Sequence, residues 1–119
     1  MHISKTTVSY FEISVTDLKR AMDFYSSVFD VEFKIENIDG VELALFPNSI
    51  GALARGESYK PSKDGTRIYF DVESIDETMK KVLEKGGKEL YPKTSIGELG
   101  FVAEFEDSEG NCIALSSMR

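Results

Sequence analysis

Apolar and polar residues alternate from Val8 to Val15, and β-formers dominate, so this stretch predicts a strand. Asp17 stands where a helix cap belongs, and Leu18, Ala21, Met22, Tyr25 and Val28 then recur at helical spacing on one face. Val31 to Ile38 and Val41 to Phe46 read as two strands joined at Asp39-Gly40, a dipeptide suited to a two-residue hairpin turn. Pro47-Asn48-Ser49 breaks the pattern before a short strand from Ile50 to Arg55. Residues 56–65, "GESYKPSKDG", are polar and rich in turn formers, which marks a linker or a loop lying over a site.

After the linker the order restarts. Arg67 to Val72 predicts a strand, Ser74 a cap, and Ile75, Met79, Val82 and Leu83 an apolar helix stripe that ends at Gly86-Gly87. Strands follow at Lys88 to Tyr91, Phe101 to Glu106 and Cys112 to Ser116, separated by "PKTSIGELG" and "DSEGN". Ile13, Val15, Leu18 and Met22 recur as Phe70, Val72, Ile75 and Met79, each 57 residues on. A duplicated β-α-β-β-β module explains that common register better than an α+β sandwich without internal symmetry. The expected organisation is one α+β domain over 1–119, with module one at about 6–55, a linker at 56–65 and module two at 66–119.

Composition narrows the chemistry. The net charge is −7, and Lys80, Lys81 and Lys85 sit as on a solvated helix face, which argues against nucleic acid as a partner. No apolar run approaches the ~20 residues that cross a bilayer, and no signal peptide opens the chain, so the expected location is cytoplasmic and not membrane-bound. The single cysteine, Cys112, excludes an intrachain disulfide, and the single histidine, His2, lies at the terminus. These two cannot form a nitrogen–sulfur zinc cluster, and a Ser-His-Asp or Cys-His arrangement would have to use His2. No phosphate-binding glycine motif is present.

The strand–helix opening "FEISVTDLKRAMDFYSSVFDVEF", the middle stretch "GALARGE" and the segment "YFDVESIDETMKKVLEKGGKELYPKTSIGELGFVAEFEDSEGN" carry a resemblance. Together with the duplicated unit, they resemble the vicinal oxygen chelate superfamily of glyoxalase I, extradiol dioxygenases, methylmalonyl-CoA epimerase and the bleomycin and fosfomycin resistance proteins. Within it, the chain is most similar to a bacterial subgroup described as related to lactoylglutathione lyase. The resemblance implies two tandem βαβββ modules forming a cupped mixed sheet with helices on the outer face. It also implies a small-molecule partner and a homodimer, with Leu99 and Phe101 as candidate interface positions. Metal-binding members hold a divalent ion on side chains from several strands. Those positions fall here on Tyr10, on Ala52 or Leu53, on Arg67 and on Ala114. None is a usual ligand for such an ion, so no metal and no cofactor are expected. A differently built metal site would need residues such as Glu12 and Glu104.

Strand parity then selects a lining. Ile13 and Val15 face the helices, which puts Tyr10, Glu12 and Ser14 on the concave side. Ile68, Phe70 and Val72 leave Arg67, Tyr69 and Asp71 there, and the last strand offers Cys112, Ala114 and Ser116. In this reading Glu12 is a candidate base, Arg67 a fork for an anionic group, and Tyr10 and Tyr69 flat walls with polar tips. Ser14, Cys112 and Ala114 complete the ligand-binding set. Each has a plainer alternative: Glu12 and Arg67 as a cross-sheet ion pair, Cys112 as a small buried hydrophobe, Phe24 and Tyr25 as core, and Asp107, Gly110 and Asn111 as a conformational turn. Three functions fit: a metal-independent ligand-binding protein, a lyase or isomerase with Glu12 as base, and a drug-sequestering resistance protein.

Overall fold

The structure, a computed structural model, describes residues 6–119; His2 lies outside the described residues. The elements are β1 (Phe11–Ser14), α1 (Leu18–Phe29), β2 (Lys34–Ile38), β3 (Val41–Leu45), β4 (Gly51–Arg55), β5 (Tyr69–Asp71), α2 (Ile75–Glu84), β6 (Lys88–Ser95), β7 (Phe101–Glu106) and β8 (Cys112–Ser117). They form two four-stranded mixed sheets, ordered β1-β4-β3-β2 and β5-β8-β7-β6. In each sheet the first strand pairs parallel with the last, and the remaining pairs are antiparallel.

The internal repeat is visible in the helix starts and in the sheet register. The Asp17 side chain caps α1 by accepting from the Arg20 amide, and Ser74, 57 residues later, caps α2 by accepting from the Glu77 amide. Ile13 stands beside Leu53 as Phe70 stands beside Leu115. All four point to the helices, where one hydrophobic cluster runs through both modules and includes Val15, Phe24, Tyr25, Phe46, Ile75, Val82 and Phe105. Burial of this size supplies the main driving force for the fold. Phe46 lies near the middle of the cluster, with ring centroids 4.9 Å from Phe33, 5.5 Å from Phe11 and 5.8 Å from Phe70.

Several boundaries differ from the sequence reading. The first strand begins at Phe11 rather than Val8, whose side chain is exposed and has no strand partner. The second begins at Lys34, because Val31 and Phe33 turn inward onto the core before the ladder starts. The fifth is confined to Tyr69–Asp71. Strand β6 continues past Tyr91 to Ser95, through Pro92. It is an edge strand whose register with β7 shifts on either side of Tyr91, a setting that accommodates a proline without an amide hydrogen. Leu83, expected on the apolar stripe of α2, is exposed, and Thr78 is buried instead.

Candidate functional site

The sheet faces turned away from the helices carry different chemistry in the two modules. In module one, Leu43, Ala52 and Ala54 are buried and are joined by Val41, Leu45 and Tyr59. Tyr59 comes from the turn-rich segment between the modules, which crosses this face. The result is a hollow of about 460 Å³ lined by Tyr10, Leu43, Leu45, Ile38, Val41 and Tyr59 among others. Its charged lining is acidic: Glu12, Glu36 and Asp39.

Glu12 is the organising polar group. The Tyr59 hydroxyl donates to one carboxylate oxygen at 2.7 Å, and the Tyr10 hydroxyl donates to the other at 2.8 Å. Both phenols are held protonated by this arrangement. Tyr10 is pushed up to about 12, first by burial and then by its hydrogen bond to Glu12. Tyr59 is raised, chiefly by the hydrogen bond it gives to the same carboxylate. The carboxylate keeps further lone pairs free for a ligand donor.

In module two the equivalent face is charged. Arg67 donates to Glu104 at 2.9 Å, Lys63 pairs with Glu106 at 3.1 Å, and the Cys112 thiol lies 3.8 Å from the other Glu104 oxygen. Cys112 is buried, and burial pushes its thiol up despite the nearby Arg67 charge. That is the environment of an inert thiol rather than a reactive one.

The sequence-derived set is therefore divided. Tyr10 and Glu12 share the module-one hollow. Glu12, Ser14 and Cys112 line a separate, narrow groove of about 160 Å³ under Lys60, Ser62 and Asp64 of the linker. Arg67 and Cys112 sit together at Glu104. Tyr69 stands beside Ala114 in the β5–β8 ladder, with Tyr69 exposed and Ala114 fully buried. The cross-sheet Glu12–Arg67 ion pair is corrected. Each residue takes a partner from its own side of the molecule, Arg67 using Glu104 from the same sheet and Glu12 the two phenols. Phe24, Tyr25 and Gly110 are found as the plainer reading had them, two core aromatics and a turn glycine at φ 94°. Tyr59 was missed in the sequence; the available signal was a lone aromatic in an otherwise polar linker.

The positions that the resemblance assigns to metal ligands carry a phenol hydrogen-bonded to Glu12, the buried Ala52 or Leu53, the buried Ala114, and a guanidinium neutralised by Glu104. Such a donor set does not fit a divalent ion. Glu12 and Glu104 are each engaged separately, Glu12 by two phenols and Glu104 by Arg67. Among the described residues, no three His, Cys, Asp or Glu side chains are gathered closely enough to hold one.

With two βαβββ modules and a hollow on the sheet face, the fold is that of a known class. The model of the Glyoxalase/Bleomycin resistance protein/Dioxygenase superfamily matches residues 7–115, and the chain belongs to that superfamily. A glyoxylase-like domain-containing protein from Didymella fabae is 29% identical over 119 residues, covering 91% of each chain. Among solved structures, a glyoxalase family protein from Bacillus cereus superposes with a TM-score of 0.73 at 19% identity, covering 98% of both chains. An antibiotic binding protein from a Streptomyces species superposes with a TM-score of 0.72 at 20% identity, again over 98% of both. At that identity the two structures show the shared fold. Among the described residues, no helix is long and apolar enough to cross a membrane.

Proposed function

We propose that the chain is a metal-independent small-molecule-binding protein whose site is the module-one hollow. The observation that carries this reading is a hollow of about 460 Å³ with apolar walls, bordered by a carboxylate on which two phenols converge. Its volume falls within the range of ordinary ligand pockets, and its few polar groups converge on one point. The ligand class that suits it is an apolar or aromatic body bearing a hydrogen-bond donor, which Glu12 would accept. An anionic ligand suits it less well. Arg67, the guanidinium expected to receive one, already spends a donor on Glu104, and the hollow itself is lined by acids.

The similarity in fold to an antibiotic binding protein supports small-molecule binding as the primary role. Lyase or isomerase activity with Glu12 as base is the second reading, supported by the free lone pairs of that carboxylate. A homodimer is part of the proposal. Leu99 is 76% exposed and available as a contact, whereas Phe101 packs against the core and lies under the Lys93 ammonium at 4.8 Å. A cytoplasmic location is proposed as well, in keeping with the free thiol of Cys112.

The test is a thermal-shift screen of donor-bearing aromatic compounds, in which a ligand for the native state raises Tm. Glu12→Gln and Tyr59→Phe are each expected to weaken a hit about tenfold. Hits that bind the two variants as tightly as the wild type would refute the site. Turnover of a hit by the wild type, lost in Glu12→Gln while binding persists, would replace binding by catalysis.

A further inference from the structure

On the helix side of the sheets, the modules meet at two junctions related by the internal repeat. At the first, the β7–β8 turn closes onto the start of α1. At the second, the turn Pro47–Ser49 between β3 and β4 faces the start of α2, and here a cavity of about 480 Å³ remains. Its apolar wall includes Val28, Phe29, Val31, Phe46, Ile50 and Phe70. Its polar rim carries Asp71, Glu73 and Glu77 against Lys81.

The repeat shows how the charge at this place is inverted. At the first junction a carboxylate, Glu109, is received by Thr16 and Arg20. The residues 57 positions on, at the second junction, are Glu73 and Glu77. Glu73 pairs with Arg119 at 3.5 Å, but Asp71 and Glu77 have no ion-pair partner among the described residues. Thr78 supplies an independent sign. It lines the cavity, is only 8% exposed, and its hydroxyl has no hydrogen-bond partner among the described residues. Among the described residues no fully occluded side-chain polar atom goes unpaired, so this hydroxyl keeps some accessibility beside the cavity that Thr78 lines. A hydroxyl that keeps some access and has no protein partner is satisfied by water or by a bound ligand that displaces it.

We propose that this junction is a second small-molecule site, separate from the module-one hollow, and that it takes a primary amine on a small apolar or aromatic body. The ammonium brings three donors, enough to serve the Thr78 hydroxyl and the Asp71 and Glu77 carboxylates, while the body covers the Phe29 and Ile50 wall. With Glu73 paired to Arg119, Asp71 and Glu77 still outnumber Lys81 on the rim, which favours a cation over an anion.

Amide-resolved NMR titration of the full chain tests it, with 2-phenylethylamine as probe and 2-phenylethanol and phenylacetate as uncharged and anionic matches. The amine is expected to give saturable shifts at Phe29, Val31, Ile50 and Thr78, leaving Leu43 and Tyr59 of the other hollow unmoved. Thr78→Val and Glu77→Gln should each weaken it about three- to tenfold. Thr78→Val should leave Tm unchanged, because that hydroxyl has no partner to lose among the described residues. Ile50→Trp, which fills the cavity from its exposed edge, should abolish the shifts. Equal binding of phenylethanol or phenylacetate, shifts confined to Leu43 and Tyr59, or no saturable shift would each overturn the proposal. The hollow's own ligands are read at Leu43 and Tyr59, so the failure of one site is distinguishable from failure of the other.

Discussion

The two junctions between the modules occupy equivalent places in the repeat, yet one is bolted and the other is open. At the bolted one, Asp107 is 3% exposed and accepts from the Tyr25 hydroxyl at 2.5 Å, the Glu109 amide at 2.8 Å and the Asn111 amide at 2.9 Å. Asn111 passes the link on, donating from its side chain to the Ser14 carbonyl at 2.8 Å. Glu109 accepts from the Thr16 and Asp17 amides and forms a two-pronged pair with Arg20 at 2.7 and 2.9 Å. At the open junction the β3–β4 turn sends no such side chain across. Pro47, Asn48 and Ser49 are all exposed, and the space stays a cavity. The polar bolt and a shared apolar core join the modules, while the equivalent place stays a cavity.

The largest way to break this contrast is Asp107→Ala. It orphans the buried Tyr25 hydroxyl together with two amides and the Asn111 side chain, and is expected to cost roughly 3–4 kcal/mol in chemical denaturation. Burial pushes the Tyr25 phenol well above its ordinary value, reinforced by Asp107, so Tyr25 remains a donor throughout and cannot compensate by ionising.

Glu109→Gln comes next, at about 2 kcal/mol near neutral pH, since it leaves the Arg20 fork without its anion. This loss depends on pH. Burial alone would raise the Glu109 carboxyl, but hydrogen bonds from Arg20, Thr16 and Asp17 outweigh it and hold it at about 2, below the ordinary 4.5. A depressed carboxyl stabilises fully above its unfolded value. The wild-type advantage should therefore be complete above about pH 4.5 and shrink as the pH falls towards 2. Denaturation of both proteins at a series of acidic pH values checks it, and a constant difference would contradict the assigned role.

The smallest effects concern the turns themselves and should run in opposite directions. Gly110 has φ 94°, so Gly110→Ala should destabilise by about 1 kcal/mol. Ser49, at φ 53° in the open turn, carries a side chain in the left-handed region, and Ser49→Gly should raise stability by about 0.5 kcal/mol. Melting curves of the pair would show whether the open junction stores strain that the bolted one avoids.

Much of the architecture was legible before any tertiary contact was known. The helix caps at Asp17 and Ser74, the apolar stripes, the alternation that turned Ile13 and Phe70 to the core, and the repeat were all local patterns. Errors gathered where a pattern met its surroundings. Leu83 continued a stripe beyond the helix surface that is actually covered, and Pro92 concealed the extension of an edge strand. The site was legible in part. Strand parity puts Tyr10 and Glu12 on one face, and they share one hollow, but Tyr59, which completes their arrangement, lies in a segment without periodicity.

By itself, the order of residues determined which segments are helix and strand, that the unit is used twice, and which side of the first and fifth strands faces the helices. Those properties follow from backbone preference and the burial of apolar faces, and both act within a few residues. Partnership was decided only by the tertiary structure. Glu12 meets Tyr59 across 47 residues, Tyr25 meets Asp107 across 82, and Glu109 meets Thr16 across 93. Arg67 takes Glu104 rather than Glu12, and the Thr78 hydroxyl takes no partner among the described residues. A charged or polar side chain settles on whichever complement the folded sheets and turns bring within about 3 Å, and a one-dimensional pattern holds no measure of that distance.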